Sequence, residues 1–306
     1  MREYLDRDVL TAWASAVERG ENAQDVRHRA TMIGDAFYRL SGDRTYIDAL
    51  RILDTFEKGG NKARLLEMAA AHREYGDGLR LFAAARIAEA APILRRAQAR
   101  LAALGSSLAL RAQIEIAGTD YYGGRLEQAQ GSLPQIKALA LARGYSSVVA
   151  RAAWLEGLVA FARNDFGAAQ VGYEEMFDAA VAAGDVEQTA FAHGLLANLY
   201  AVLGDMTAAW RHRVDAAAML DDVNNPQVVA NLLLSAAGDA WTSGNYSAAL
   251  VFQSTLLSLG LPISQVTEIQ ALAQRSRTLH QLGRHSESIQ SLDMAHERLS
   301  RVPDRG

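Results

Sequence analysis

The side chains best suited to binding lie in two columns. Phe82, Tyr121, Phe161, Ala201, Trp241 and His280 recur every 39 or 40 residues. Seven positions earlier a second column reads Tyr75, Ile114, Trp154, Gly194, Leu234 and Ala273, with Arg111 and Arg151 three residues ahead of two of its members. Aromatic rings supply large contact area at low entropic cost, and a guanidinium presents a fork of donors to a carboxylate. Gathered on one face, Tyr75, Phe82, Arg111, Tyr121, Tyr122, Arg151, Trp154, Phe161 and Trp241 suit an extended or helical peptide that is part apolar and part acidic. The same rings would also serve to pack first helix against first helix, which a solenoid's continuous core favours. Trp241 and Tyr122, flanked by polar or small residues, are the members expected to be exposed.

Catalytic signatures are missing from the chain. It has no GxxxxGK phosphate loop, no HExxH, no GxSxG elbow and no dinucleotide-type GxGxxG. With no cysteine there is no disulfide, no thiolate nucleophile and no sulfur-ligated zinc. His280 and His285 straddle a predicted turn without a third ligand, which suits surface or packing roles. Asp120, Asp165 and Asp205 lie near turns, where carboxylates cap helix N-termini. The reading is therefore of a non-enzyme with no cofactor and no metal.

Positioning such columns requires a repeat. A turn residue stands at Ala85, Gly124, Asn164, Gly204, Gly244 and Gly283. Seven residues before it comes a small side chain (Gly78, Ala117, Gly157, Ala197, Ala237, Ser276), and five after it another (Ala90, Ala129, Ala169, Ala209, Ala249, Ser288). Close helix crossings need small residues at such places. Two after it sits a larger one: Ile87, Leu126, Phe166, Met206, Tyr246 and His285. Self-similarity at this period is the signature of a helical solenoid.

The repeat Leu196-Ala197-x-x-Tyr200-x-x-x-Gly204-Asp205-Met206-x-x-Ala209 resembles the tetratricopeptide repeat. That resemblance implies an all-α, right-handed superhelix of about six to seven helix pairs, its first helices lining a concave groove for a protein or peptide. Both columns are expected to face that groove. Against the usual length of about 34 residues, the longer period implies roughly one more helical turn per repeat. Asn198 alone matches the residues with which this fold clamps a terminal carboxylate, so a heat-shock co-chaperone role is not expected. Gly131-Ser132-Leu133-Pro134 falls inside an expected second helix and predicts a kink or break, whereas Pro92 lies near a helix start, where a missing N–H is tolerated.

A second resemblance spans the chain. Ser41-Gly42-Asp43-Arg44, Trp154-Leu155-Glu156-Gly157-Leu158, Ala209-Trp210-Arg211-His212-Arg213 and Leu282-Gly283-Arg284 are similar to the helical region that precedes the caspase-like protease in bacterial CHAT-domain proteins. It implies a regulatory or docking module whose protease part is absent, together with an attached C-terminal effector. The expected domains are a helical cap and degenerate repeat over 1–60, a repeat array over 61–300 and a tail over 301–306, all one continuous solenoid. In the cap, Leu5, Val9, Trp13 and Val17 form one apolar stripe, and Phe37, Tyr46 and Ala49 match the template around a turn near Gly42. The last helix, with no polar cap after it, is expected to pack on a continuation or else to be covered by a partner or a second copy.

Composition narrows the partners. Half of the 306 residues are hydrophobic and only five are proline, which suits packed helices. A net charge of −4 without a run of like charges gives no footprint for nucleic acid or an anionic membrane. The N-terminus has acids where a secretory leader is basic. Arginine-rich, alanine-rich usage fits a bacterial source, and the expected location is the cytoplasm. Two functions follow: a protein- or peptide-binding scaffold, or a peptide sensor that signals to an attached effector.

Overall fold

The computed structural model describes residues 4–301, so Val302–Gly306, most of the expected tail, and Met1–Glu3 lie outside the described residues. These residues are helical with turns, and no strand occurs among them. Packing divides the chain into two compact units, Met1–Asp185 and Val186–Gly306.

The first unit opens with a π-helical turn, Leu5–Val9, that runs into α1 (Leu10–Arg19), followed by α2 (Gln24–Ser41) and α3 (Thr45–Lys58). Regular hairpins come next: α4 (Lys62–Ala83) with α5 (Ile87–Ala103); α6 (Leu108–Tyr122) with α7 (Leu126–Gly131) and α8 (Leu133–Arg143); and α9 (Ser146–Ala162) with α10 (Phe166–Ala182). The second unit contains α11 (Val186–Val202) with α12 (Met206–Ala218), α13 (Pro226–Thr242) with α14 (Tyr246–Ser258), and α15 (Gln265–Gln281) with α16 (His285–Ser300).

The turn anchors do what their residue types suggest. All six have positive φ, from 58° at Ala85 to 81° at Gly204, and each is followed two residues on by the first residue of a second helix. Glycine enters this left-handed region freely and asparagine tolerates it, but alanine is strained there. The flanking small residues are buried without exception, from Gly78 and Ala90 to Ser276 and Ser288. In the last hairpin the two serine hydroxyls lie 3.1 Å apart, so a hydrogen bond stands where other repeats place glycine or alanine. A Cβ on Gly172 would come within 2.7 Å of the Gly157 nitrogen and 2.8 Å of the Ala153 carbonyl, a backbone approach that permits no side chain.

Pro134 breaks the second helix of its repeat as expected: α7 ends at Gly131 and α8 restarts at Leu133 with the proline in its first turn. Pro92 is accommodated inside α5. Asp165 and Asp205 cap α10 and α12, accepting from the Ala168 and Ala208 N–H groups at 3.1 and 3.0 Å. Asp120 corrects the capping expectation. It lies in the last turn of α6, 8% exposed, and accepts from Arg125 at 2.8 Å.

The N-terminal helices do more than extend the stack at one end. Leu5, Val9 and Trp13 are buried. The Trp13 ring meets the His72 ring of α4 edge-on at 5.7 Å. A Cβ on Gly76 of α4 would fall 2.0 Å from the Thr11 hydroxyl. The start of α3 reaches forward past α4: the Ser107 hydroxyl donates to the Thr45 carbonyl at 2.5 Å, the Tyr145 hydroxyl to Asp48 at 3.1 Å, and the Ser147 N–H to Asp43. This segment thus meets the N-terminal ends of α6 and α9.

Candidate functional site

The first column sits near the C-terminal ends of the first helices. Phe82, Tyr121, Phe161, Ala201 and Trp241 are half-buried and His280 is exposed. Much of this ring surface packs within the protein. Phe161 meets Phe166 at 5.6 Å, Trp241 meets Tyr246 at 5.9 Å, and His280 meets His285 at 5.0 Å, each pair closing its own turn. Phe82 instead meets Tyr122 of α6 at 5.6 Å, and Tyr122 meets Tyr121 at 5.1 Å. Tyr122, at 56% exposure, gives this aromatic group an open face. Trp241 is less open than its neighbours in sequence suggest: Arg277 lies over its ring at 4.6 Å and its indole N–H is buried.

The second column corrects the sequence reading. Tyr75, Ile114, Trp154, Gly194 and Leu234 are all buried, so Tyr75 and Trp154 are core residues and not partner contacts. This position faces the interior because the N-terminal segment and the neighbouring first helices close over it.

The two arginines are likewise committed. Arg111 donates to Asp6 at 2.9 Å, Tyr46 donates to the same carboxylate oxygen at 3.0 Å, and Asp6 is 1% exposed. Burial nonetheless holds the Asp6 carboxyl above its ordinary range, against the pull of Arg111 and Tyr46. Desolvation of this pair offsets much of its attraction. Arg151 donates to Glu115 at 3.1 Å and lies over the Trp154 ring at 4.0 Å. Neither guanidinium is left to attract an acidic ligand while these pairs stand.

In the second unit the corresponding polar centre is Arg213 of α12, which no column contains. It is 4% exposed and donates to Asp239 at 2.8 Å and to Asn198 at 2.6 Å. Asn198, one of the expected groove contacts, is exposed and accepts this bond from Arg213. Beside Arg213 is a small pocket lined by Trp210, Val214, Leu220, Leu232, Leu233 and Phe252, whose walls are apolar apart from that arginine. A pair of histidines also meets in this unit: the Nδ1 atoms of His193 and His212 are 2.8 Å apart. Burial, then His212, lowers the His193 pKa, and Asp215 opposes them. The His212-Arg213 string was visible in the sequence, but its partner His193 is on another helix and no short spacing announces it.

No protein-family model matches the chain, and no curated protein matches it in sequence. Solved structures do match it in fold. BtubC (BKLC) from P. vanneervenii superposes with a TM-score of 0.56 at 15% identity, over 80% of this chain and 96% of that one. The apo form of RapI superposes with a TM-score of 0.53 at 12% identity, over 76% of this chain and 99% of that one. The fold is an all-α, tetratricopeptide-like helical repeat. Among the described residues no helix is long and apolar enough to cross a membrane.

Proposed function

We propose that the protein is a binding scaffold that takes an apolar, aromatic-seeking segment of a protein partner, without catalysis of its own. The observation that carries this reading is the Phe82–Tyr122–Tyr121 group, three rings joined through Tyr122, whose ring is open to solvent. Aromatic clusters with an open face are the usual centres of binding energy. Phe161 extends the same column on α9. Since Arg111 and Arg151 are paired, the partner is selected by apolar area and not by acidity.

The test is selection from a displayed peptide library, followed by binding of the selected peptides to wild type and to the double variant Tyr122→Ala, Phe161→Ala. Enrichment of aromatic or aliphatic peptides that lose at least tenfold in affinity for a folded double variant supports the scaffold. Failure to enrich any peptide, or equal binding by the double variant, overturns it.

A peptide-sensing role is favoured by one further observation, the Asp6–Arg111 pair. Asp6 presents to Arg111 the carboxylate that an acidic ligand would bring. A peptide with such a side chain would compete with the N-terminal segment and expose α4 and α6. The resemblance to CHAT-associated helical regions adds an effector attached to this module, which sequencing of the full gene product tests. The reading places the protein in the cytoplasm, with neither nucleic acid nor membrane as partner.

A further inference from the structure

We propose that His193, His212 and Asp215 form a binding site for a divalent transition metal of the zinc type. Their ligand atoms, two imidazole nitrogens and one carboxylate oxygen, all lie within 4.8 Å of one another. His212 and Asp215 stand one turn apart on α12 and so share a face. His193 meets them from α11, the other arm of the same hairpin. Tyr200 is stacked on the His212 ring at 5.5 Å and 7°, which fixes the plane of that imidazole.

The donor set decides the class of ion. Two imidazoles and one carboxylate suit zinc, copper or nickel, whereas calcium and magnesium prefer oxygen alone. Three protein ligands leave a fourth tetrahedral position for water or a partner's side chain. Two metal–nitrogen bonds of about 2.05 Å at a tetrahedral angle hold their nitrogens about 3.3 Å apart. The 2.8 Å now between the Nδ1 atoms would open by about half an ångström, within reach of small ring rotations. Arg213, next to His212 in sequence, is paired with Asp239, which offsets its repulsion of a cation. Occupancy would clamp α11 to α12 beside the Arg213 centre.

Titration of the full chain with Zn²⁺ in a calorimeter, after treatment with chelator, tests the site, and Co²⁺ serves as a spectroscopic probe. One equivalent bound per chain, with the intense visible bands of four-coordinate Co²⁺, is expected. His212→Gln should abolish both signals, and Asp215→Asn should weaken binding by at least the roughly 10–100-fold that loss of a supporting contact costs a metal site. The double variant His280→Gln, His285→Gln controls for the exposed histidine pair and should bind as wild type does. No saturable binding, undiminished binding by Asp215→Asn, or loss of the signal in the His280/His285 control would overturn the proposal. Should His212→Gln fail to fold by circular dichroism, Asp215→Asn and the control decide.

Discussion

Each unit holds an arginine in an inward-facing ion pair, and the two do so on different terms. Arg213 finds Asp239 at 26 residues' separation and Asn198 at 15, partners on its own or the adjoining hairpin. Arg111 finds Asp6 at a separation of 105 residues, across the docked N-terminal segment. The first pairing is part of repeat stacking and breaks only if the stack opens. The second belongs to a joint that can open while the hairpins beneath it persist, since proteins open locally in cooperative pieces. Polar atoms at that joint sharpen the contrast. Asp6 Oδ1, Trp13 Nε1, Arg111 Nε and both ring nitrogens of His72 are buried without a hydrogen-bond partner among the described residues. Each such group costs about 1–3 kcal/mol, so docking is weaker than its apolar area implies.

The largest effect should come from the stacked centre. Arg213→Ala removes the main partner of Asp239, whose side chain is 17% exposed in the intact pair. Loss of one member of a buried pair costs about 3–5 kcal/mol. Chemical denaturation should show that loss throughout α11–α16, and retention of full stability would erase the distinction between the units.

Next comes a pH dependence that His72 adds at the joint. His72 is 1% exposed, and burial, assisted by Arg27, lowers its pKa from 6.5 to about 4. The undocked chain therefore takes up the proton first as the pH falls. Stability from this group is whole above pH 6.5, declines between 6.5 and about 4, and changes no further below that. At 1.36 kcal/mol per pKa unit the decline totals on the order of 3 kcal/mol. Urea melts across this range should be flatter for His72→Gln than for wild type, and parallel curves would contradict the assignment.

Gly76→Ala should weaken the joint by about 1–3 kcal/mol through overpacking against Thr11. Limited proteolysis should then cut between α1 and α4 while α11–α16 stay intact. The smallest effect is a gain: Ala85 is strained at φ 58°, so Ala85→Gly should stabilise the first unit by roughly 1 kcal/mol. An unchanged or lower Tm would mean that the turn relaxes without cost.

The parts of this fold legible in the sequence are those whose chemistry admits few residue types. A left-handed turn asks for Gly or Asn, a close crossing asks for Gly, Ala or Ser, and Pro134 interrupts a helix wherever it falls inside one. The site was harder to read because exposure depends on what covers a helix. Tyr75 and Trp154 have the right types and period for a groove and are buried, because Trp13 and Asp6 fold back from far along the chain onto α4 and α6 and neighbouring first helices enclose the rest. Asp120 has the composition of a cap but sits at the wrong end of a helix. His193 meets His212 across a hairpin, a pairing that no i+3 or i+4 spacing displays.

A cover over Tyr75 and Arg111 formed by residues 4–58 and separable from the hairpins beneath should open on its own. Hydrogen exchange followed by mass spectrometry on wild type and Arg111→Met measures that opening. Faster exchange is expected in the Arg111→Met variant for α1, α3 and the Tyr75 stretch of α4, with α11–α16 unchanged. Exchange that is unaltered in α1, or that rises equally throughout the chain, would contradict it.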